Sequence, residues 1–178
     1  MGLAIFGNTK YNKIYLVIRN IGVRSVKSCF FIGHREASSE ILPVLTEAVE
    51  KHISEYDVTE FIVGNYGGFD HMAAKAVIAA KERYPNITLS MLIPYHPAER
   101  PMELPKGFDS TFYPPGMEKV PRKLAIVRAN RYIVDHVDYL IAYAWHPASN
   151  ARDLVEYAKK RELRNLISVT VLPRSKTV

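Results

Sequence analysis

The sequence predicts an α/β fold: a three-layer sandwich in which a mostly parallel sheet of five to seven strands is flanked by helices. Three observations lead there. After Lys27, apolar runs alternate with amphipathic segments, the order that a parallel sheet with covering helices requires. Several of those runs are continuously apolar, as strands covered on both faces are. At 178 residues, 48% apolar and 24% charged, the chain has the size of one domain, able to bury roughly 70% of its unfolded surface.

Strands are expected at Cys29–Ile32, Phe61–Val63, Ile87–Ile93, Tyr139–Ala144 and Leu166–Leu172. The first helix should run from about Ser39 to Glu55, with Leu42, Leu45, Val49 and Ile53 forming a stripe at three- and four-residue steps. Its Pro43 is tolerated because it lies in the first turns. A second helix should span about Asp70 to Tyr84, where Pro85 stops it, and a third Lys119 to His136. A fourth should cover Ala151 to Glu162, with Asn150 as cap and Asp153 three residues on, in the capping-box position. Between the third strand and the third helix lies Pro94 to Glu118, which holds six of the eleven prolines. That density resists helix and central strand alike, so an extended loop over residues 94–118 is expected, either a lid over a pocket or a wrap over the sheet edge.

Charge divides the chain unevenly. Six of the 24 basic residues fall in the first 35 positions and none of the 18 acidic ones, which leaves 18 of each in the remainder. Residues 1–26 therefore read as a basic leader, an edge strand around Ile14 to Ile18 or a flexible arm, ahead of a single domain over 27–178. The leader has no secretory layout, and Phe6 stands where a myristoylation motif wants Ser or Thr. A basic arm on a neutral body is a weaker nucleic-acid signal than a basic face. No apolar run approaches the roughly 18 residues of a membrane span, and Cys29 is the one cysteine, so no membrane contact and a reducing, cytoplasmic setting are expected.

Function is sought in the loops that follow the strands, because the crevice of an open parallel sheet lies beyond the strands' carboxyl ends, where strand order reverses. Gly33-His34-Arg35 follows the first strand, and Gly64-Asn65-Tyr66-Gly67-Gly68-Phe69-Asp70 the second. Pro94-Tyr95-His96 follows the third, and Trp145-His146-Pro147-Ala148-Ser149-Asn150 the fourth. Gly64, Gly67 and Gly68 lead into a helix start, where free amides and the helix dipole suit a phosphate, although a tight strand-to-helix turn needs glycine too. The spacing fits neither the dinucleotide fingerprint nor the Walker loop. Asp70 suits ribose hydroxyls or, equally, a cap on the second helix. Arg35 offers a permanently charged fork for phosphate or carboxylate, beside Gly33 and His34.

Arg128, Arg131 and Asp135 share a face of the third helix, and Arg128, nearer its start, is better placed to reach a ligand. Trp145 and Tyr143 can stack on a base or simply pack. The six histidines show no i, i+4 pair and there is no C-x-x-C, so no metal site is expected.

Four strings occur in order: Phe31-Ile32-Gly33-His34-Arg35; Gly67-Gly68-Phe69-Asp70-x-x-Ala73-Ala74; Asn130-Arg131-Tyr132-Ile133-Val134-Asp135 followed by Asp138-x-Leu140-Ile141-Ala142; and Val155-Glu156-Tyr157-Ala158. Together they resemble the YpsA-like branch of the SLOG superfamily, named for the DNA-processing protein DprA and the LOG-type, lysine-decarboxylase-like proteins. The resemblance covers about residues 27–172. It implies a Rossmann-like fold that binds nucleotides or nucleotide-derived molecules at the rim. LOG-type relatives hydrolyse the N-glycosidic bond of nucleoside monophosphates, while many other branches are thought to sense or bind nucleotide signals. Where the YpsA-like branch typically has Gly-Gly-Thr, this chain has Ser149-Asn150-Ala151. Of the LOG pattern P-G-G-x-G-T-x-x-E, only Glu156 survives in register, and the side chains in place of glycine would crowd a closely held phosphate.

The sequence thus favours a regulatory binder of a nucleotide-derived ligand. Its contacts would be Gly67, Gly68, Ser149 and Asn150 near phosphate, Asp70 near ribose, and Arg35 as counter-charge. A second reading is a phosphoribohydrolase-like enzyme using Glu156 or Asp70 to stabilise an oxocarbenium-like ribose or activate water. A third is a nucleic-acid-associated protein using the basic leader. Nothing in the sequence excludes a homo-oligomer.

Overall fold

A computed structural model of the chain describes residues 26–99 and 101–174. The expected leader strand at Ile14 to Ile18 lies outside them. Six strands form one parallel sheet: β1 (Lys27–Gly33), β2 (Val58–Val63), β3 (Thr88–Leu92), β4 (Ser110–Phe112), β5 (Tyr139–Tyr143) and β6 (Ser168–Val171). Their order is β4-β3-β2-β1-β5-β6, and every neighbouring pair is parallel. The helices are α1 (Leu42–Ser54), α2 (Gly68–Lys81), α3 (Ala125–Val134) and α4 (Asn150–Glu162). Among the described residues no helix is long and apolar enough to cross a membrane.

The continuous apolar runs have a direct explanation in the two cores. Cys29 and Phe31 of β1 join α1 and α2 on one face, while Phe30 and Ile32 join α3 and α4 on the other. In β5, Ile141 and Tyr143 face the first core and Leu140 and Ala142 the second. Alternation across a pleat with both faces covered leaves no polar position in the run. Burying side chains such as Phe30 and Phe31 contributes about 1.5–3 kcal/mol each.

Three expectations are corrected. The segment 94–118 is not loop throughout: it carries β4 and a 3₁₀ turn at Met117–Lys119. Asp109 creates that strand, because its amide donates to the Leu89 carbonyl (2.9 Å) while its carboxylate accepts from the Leu89 amide (2.7 Å) and from Lys81. The return path to the edge packs on α2, with Gly107 set against Ile78 and the Lys81 ammonium on the Gly107 carbonyl. The wrap, not the lid, describes this half of the segment. Next, α3 begins at Ala125 rather than Lys119. Pro121 holds Val120 extended (φ −88°, ψ 127°), and a separate 3₁₀ turn at Arg122–Leu124 precedes the helix. Finally, the cap of α4 is Ser149, not Asn150. Ser149 is extended (φ −137°) and its Oγ accepts the Arg152 amide, while Asn150 is the first helical residue.

Candidate functional site

Strand order reverses between β1 and β5: the chain leaves β1 toward β2 on one side and later arrives at β5 on the other. The loops after these two strands therefore diverge to opposite faces at the switch point. His34 lies between them, buried. Its backbone amide extends the ladder to the Tyr143 carbonyl (3.2 Å), and its Nε2 accepts the amide of His146 (2.9 Å). An acceptor at Nε2 requires the neutral tautomer with the proton on Nδ1. Burial and the nearby His146 push the His34 pKa down, which agrees with that geometry. The ring makes edge contacts with Tyr143 and Trp145, the latter at 5.1 Å between centroids.

His146 passes the connection onward. Its carbonyl accepts the Ser149 hydroxyl (3.1 Å), and Ser149 caps α4. The amides of Asn150 and Ala151, in the first turn, have no intrahelical acceptor by geometry. Asn150 also lines a shallow cleft between α3 and α4 with Asn130, Arg131, Asp153, Leu154 and Tyr157. There Arg131 stacks on the Tyr157 ring at 4.0 Å, and the Tyr157 hydroxyl donates to Asp135 (2.6 Å), which also pairs with Arg161 (3.0 Å). The Arg131 and Asp135 side chains thus reach across to α4.

The glycines expected to cradle phosphate are each pressed against the protein itself. A Cβ on Gly33 would lie 2.3 Å from the Phe69 ring, and one on Gly64 2.7 Å from Asp70 Oδ2. On Gly67 it would meet the Arg35 Cα at 2.9 Å, and on Gly68 the Arg35 carbonyl oxygen at 2.8 Å. Three of the loop's amides are spent as well. Gly68 donates to Arg35 (2.8 Å), and Tyr66 donates to Asp70 Oδ2 (3.0 Å), with Gly67 also bonded to that carboxylate. Asp70 therefore turns back to hold its own loop. Burial nevertheless raises its pKa, outweighing these hydrogen bonds.

Gly33, His34, Arg35, Gly64, Gly67, Gly68 and Asp70 are thus brought together as one interlocked pair of loops, joined through His146 to Ser149 and Asn150. Arg35 is exposed on this rim. Arg128 is exposed on α3, and its neighbours Val127 and Arg131 line the cleft instead. Glu156 stands on the exposed side of α4, paired with Arg152 one turn back (2.7 Å). Sequence reasoning missed Arg174, whose guanidinium lies 4.2 Å from the Trp145 ring centroid. It follows the last strand, and no motif marks it. Trp145 remains 43% exposed. Among the described residues no three His, Cys, Asp or Glu side chains gather as an ion site.

No family model matches the chain, and no curated protein matches it. Among solved structures it is similar to the "structure of Moco Carrier Protein from Chlamydomonas reinhardtii", with a TM-score of 0.49 and 15% identity over 83% of this chain and 76% of that one. At that identity no ligand or activity carries over.

Proposed function

We propose that this protein binds a nucleotide-derived small molecule in the crevice between the carboxyl ends of β1 and β5, and acts as a binder or sensor. The observation that carries the reading is the coincidence, at one topological switch point, of a half-exposed indole, an adjoining guanidinium and the start of α4. Trp145 offers a stacking surface for a base. Arg174 and the exposed Arg35 supply positive charge, and the first amides of α4 supply donors for an anionic group. The SLOG-like strings around Gly33 and Gly67 point to the same rim. The Gly64–Gly68 loop contributes support for this site and few donors to it.

The two carboxylates on which the hydrolase reading relies are engaged elsewhere, Glu156 with Arg152 and Asp70 with its own loop. Trp145 is the sole tryptophan in the chain, so its fluorescence reports on the crevice directly. Titration with nucleoside monophosphates should change that emission saturably and raise the melting temperature, with inorganic phosphate, ribose 5-phosphate and free bases as comparison arms. If neither emission nor melting responds to any of them, the proposed ligand class is wrong.

A further inference from the structure

Among the described residues β6 is a terminal strand of the sheet, bonded to β5 on one side only. Ser168 and Leu172 donate inward, to the Asp138 and Ala142 carbonyls at 2.8 Å each. By the alternation of a strand, the amides of Val169 and Val171 point away from the sheet. Such an edge is a template for another strand unless something blunts it, and lysine, proline, a bulge or a cover are the usual means. β6 itself reads Ser-Val-Thr-Val, uncharged and β-branched at three of its four positions, with no proline. Exposed apolar residues lie beside and within it: Leu163 at 86% exposure, Leu166 at 51% and, in the strand itself, Val171 at 43%.

One contact opposes pairing. The Glu162 carboxylate, in the last turn of α4, reaches over the edge and accepts the outward amide of Val169 at 2.7 Å. It occupies the position that a carbonyl from an incoming strand would need, and it places a charge where that strand would have to desolvate it.

We propose that Glu162 is a built-in blocker of the β6 edge, an intramolecular contact that suppresses pairing of β6 with the β6 of a second copy of this chain. The strand suits that occupant because it is uncharged and self-complementary. In an antiparallel pair about a two-fold axis through Thr170, Val169 of one copy faces Val171 of the other, and the four outward amide and carbonyl groups on each side satisfy one another.

The test compares sedimentation over a range of concentrations for the wild-type chain, Glu162→Ala, Glu162→Gln and the double variant Glu162→Ala/Val171→Pro. Glu162→Ala should associate at protein concentrations about tenfold or more below the wild type. Glu162→Gln keeps an oxygen for the Val169 amide but loses the charge, so it should associate less readily than Glu162→Ala. Proline at 171 removes an outward amide without touching the β5 ladder, and should reverse the association. The proposal is overturned if Glu162→Ala sediments as the wild type, if the glutamine variant associates equally, or if proline leaves the association intact. Amide exchange in the wild type decides independently of any variant's folding: the Val169 amide should exchange more slowly than that of Val171, and equal rates would sink the idea.

Discussion

The amide of Gly68 donates to the carbonyl of Arg35 across 2.8 Å, fastening the loop after β2 onto the loop after β1. A helix start that would otherwise present this N–H to an anion thus spends it on the chain. The absent side chains at Gly67 and Gly68 make room for backbone, which shifts the candidate anion contacts toward Arg35, Arg174 and α4.

Glycine substitutions on the rim should therefore cost stability before they touch binding. Gly33→Ala must displace the Phe69 ring and Gly68→Ala the Arg35 carbonyl, each by overpacking worth about 1–3 kcal/mol. Differential scanning calorimetry should show melting temperatures lower by about 2–12 °C. A wild-type melting curve for either variant would mean that the two loops are not packed as described.

Ser149→Ala removes the hydroxyl that accepts the Arg152 amide, and should destabilise the protein by about 1 kcal/mol in urea titrations. Asn150→Ala, in the first helical position, should change stability by under about 0.5 kcal/mol. The reverse ranking would restore Asn150 as the cap.

Histidine burial sets an acid limb on stability. His52 is 1% exposed, its Nδ1–H donates to the Ala48 carbonyl (2.7 Å), and burial lowers its pKa below the ordinary 6.5. The unfolded chain then takes up a proton more readily than the folded one, so stability is intact above about pH 6.5 and falls as pH drops below it. His34 shifts in the same direction. His52→Leu should flatten part of the decline between pH 6.5 and 4.5 in chemical denaturation, leaving the share due to His34. A variant that loses stability with the same slope as wild type would show that His52 is not one of the titrating groups.

Glu156→Gln breaks an exposed ion pair one helical turn long, so its stability effect should stay within about 0.5 kcal/mol. Trp145 emission changes on adding nucleoside monophosphates should match those of the wild type. Release of free base by the wild-type chain that disappears in this variant would instead favour the hydrolase.

Local patterning made much of this architecture legible. The run Cys29-Phe30-Phe31-Ile32 announces a strand buried on both faces, and the structure divides it residue by residue between two cores. Strand β4 was not legible, since three residues among prolines carry no period. It exists because Asp109 is pinned to Leu89 and Ser90 meets Ser110 (2.8 Å between hydroxyls). Ser149 and Asn150 are both good caps, and only backbone geometry chooses between them. Composition and hydrophobic order by themselves determined a parallel sheet between two helical layers, because burial on two faces leaves its mark on consecutive residues. Tertiary packing alone decided what the glycines make room for and where Asp70 and Glu156 point. A missing Cβ or a lone carboxylate has no direction until distant segments surround it.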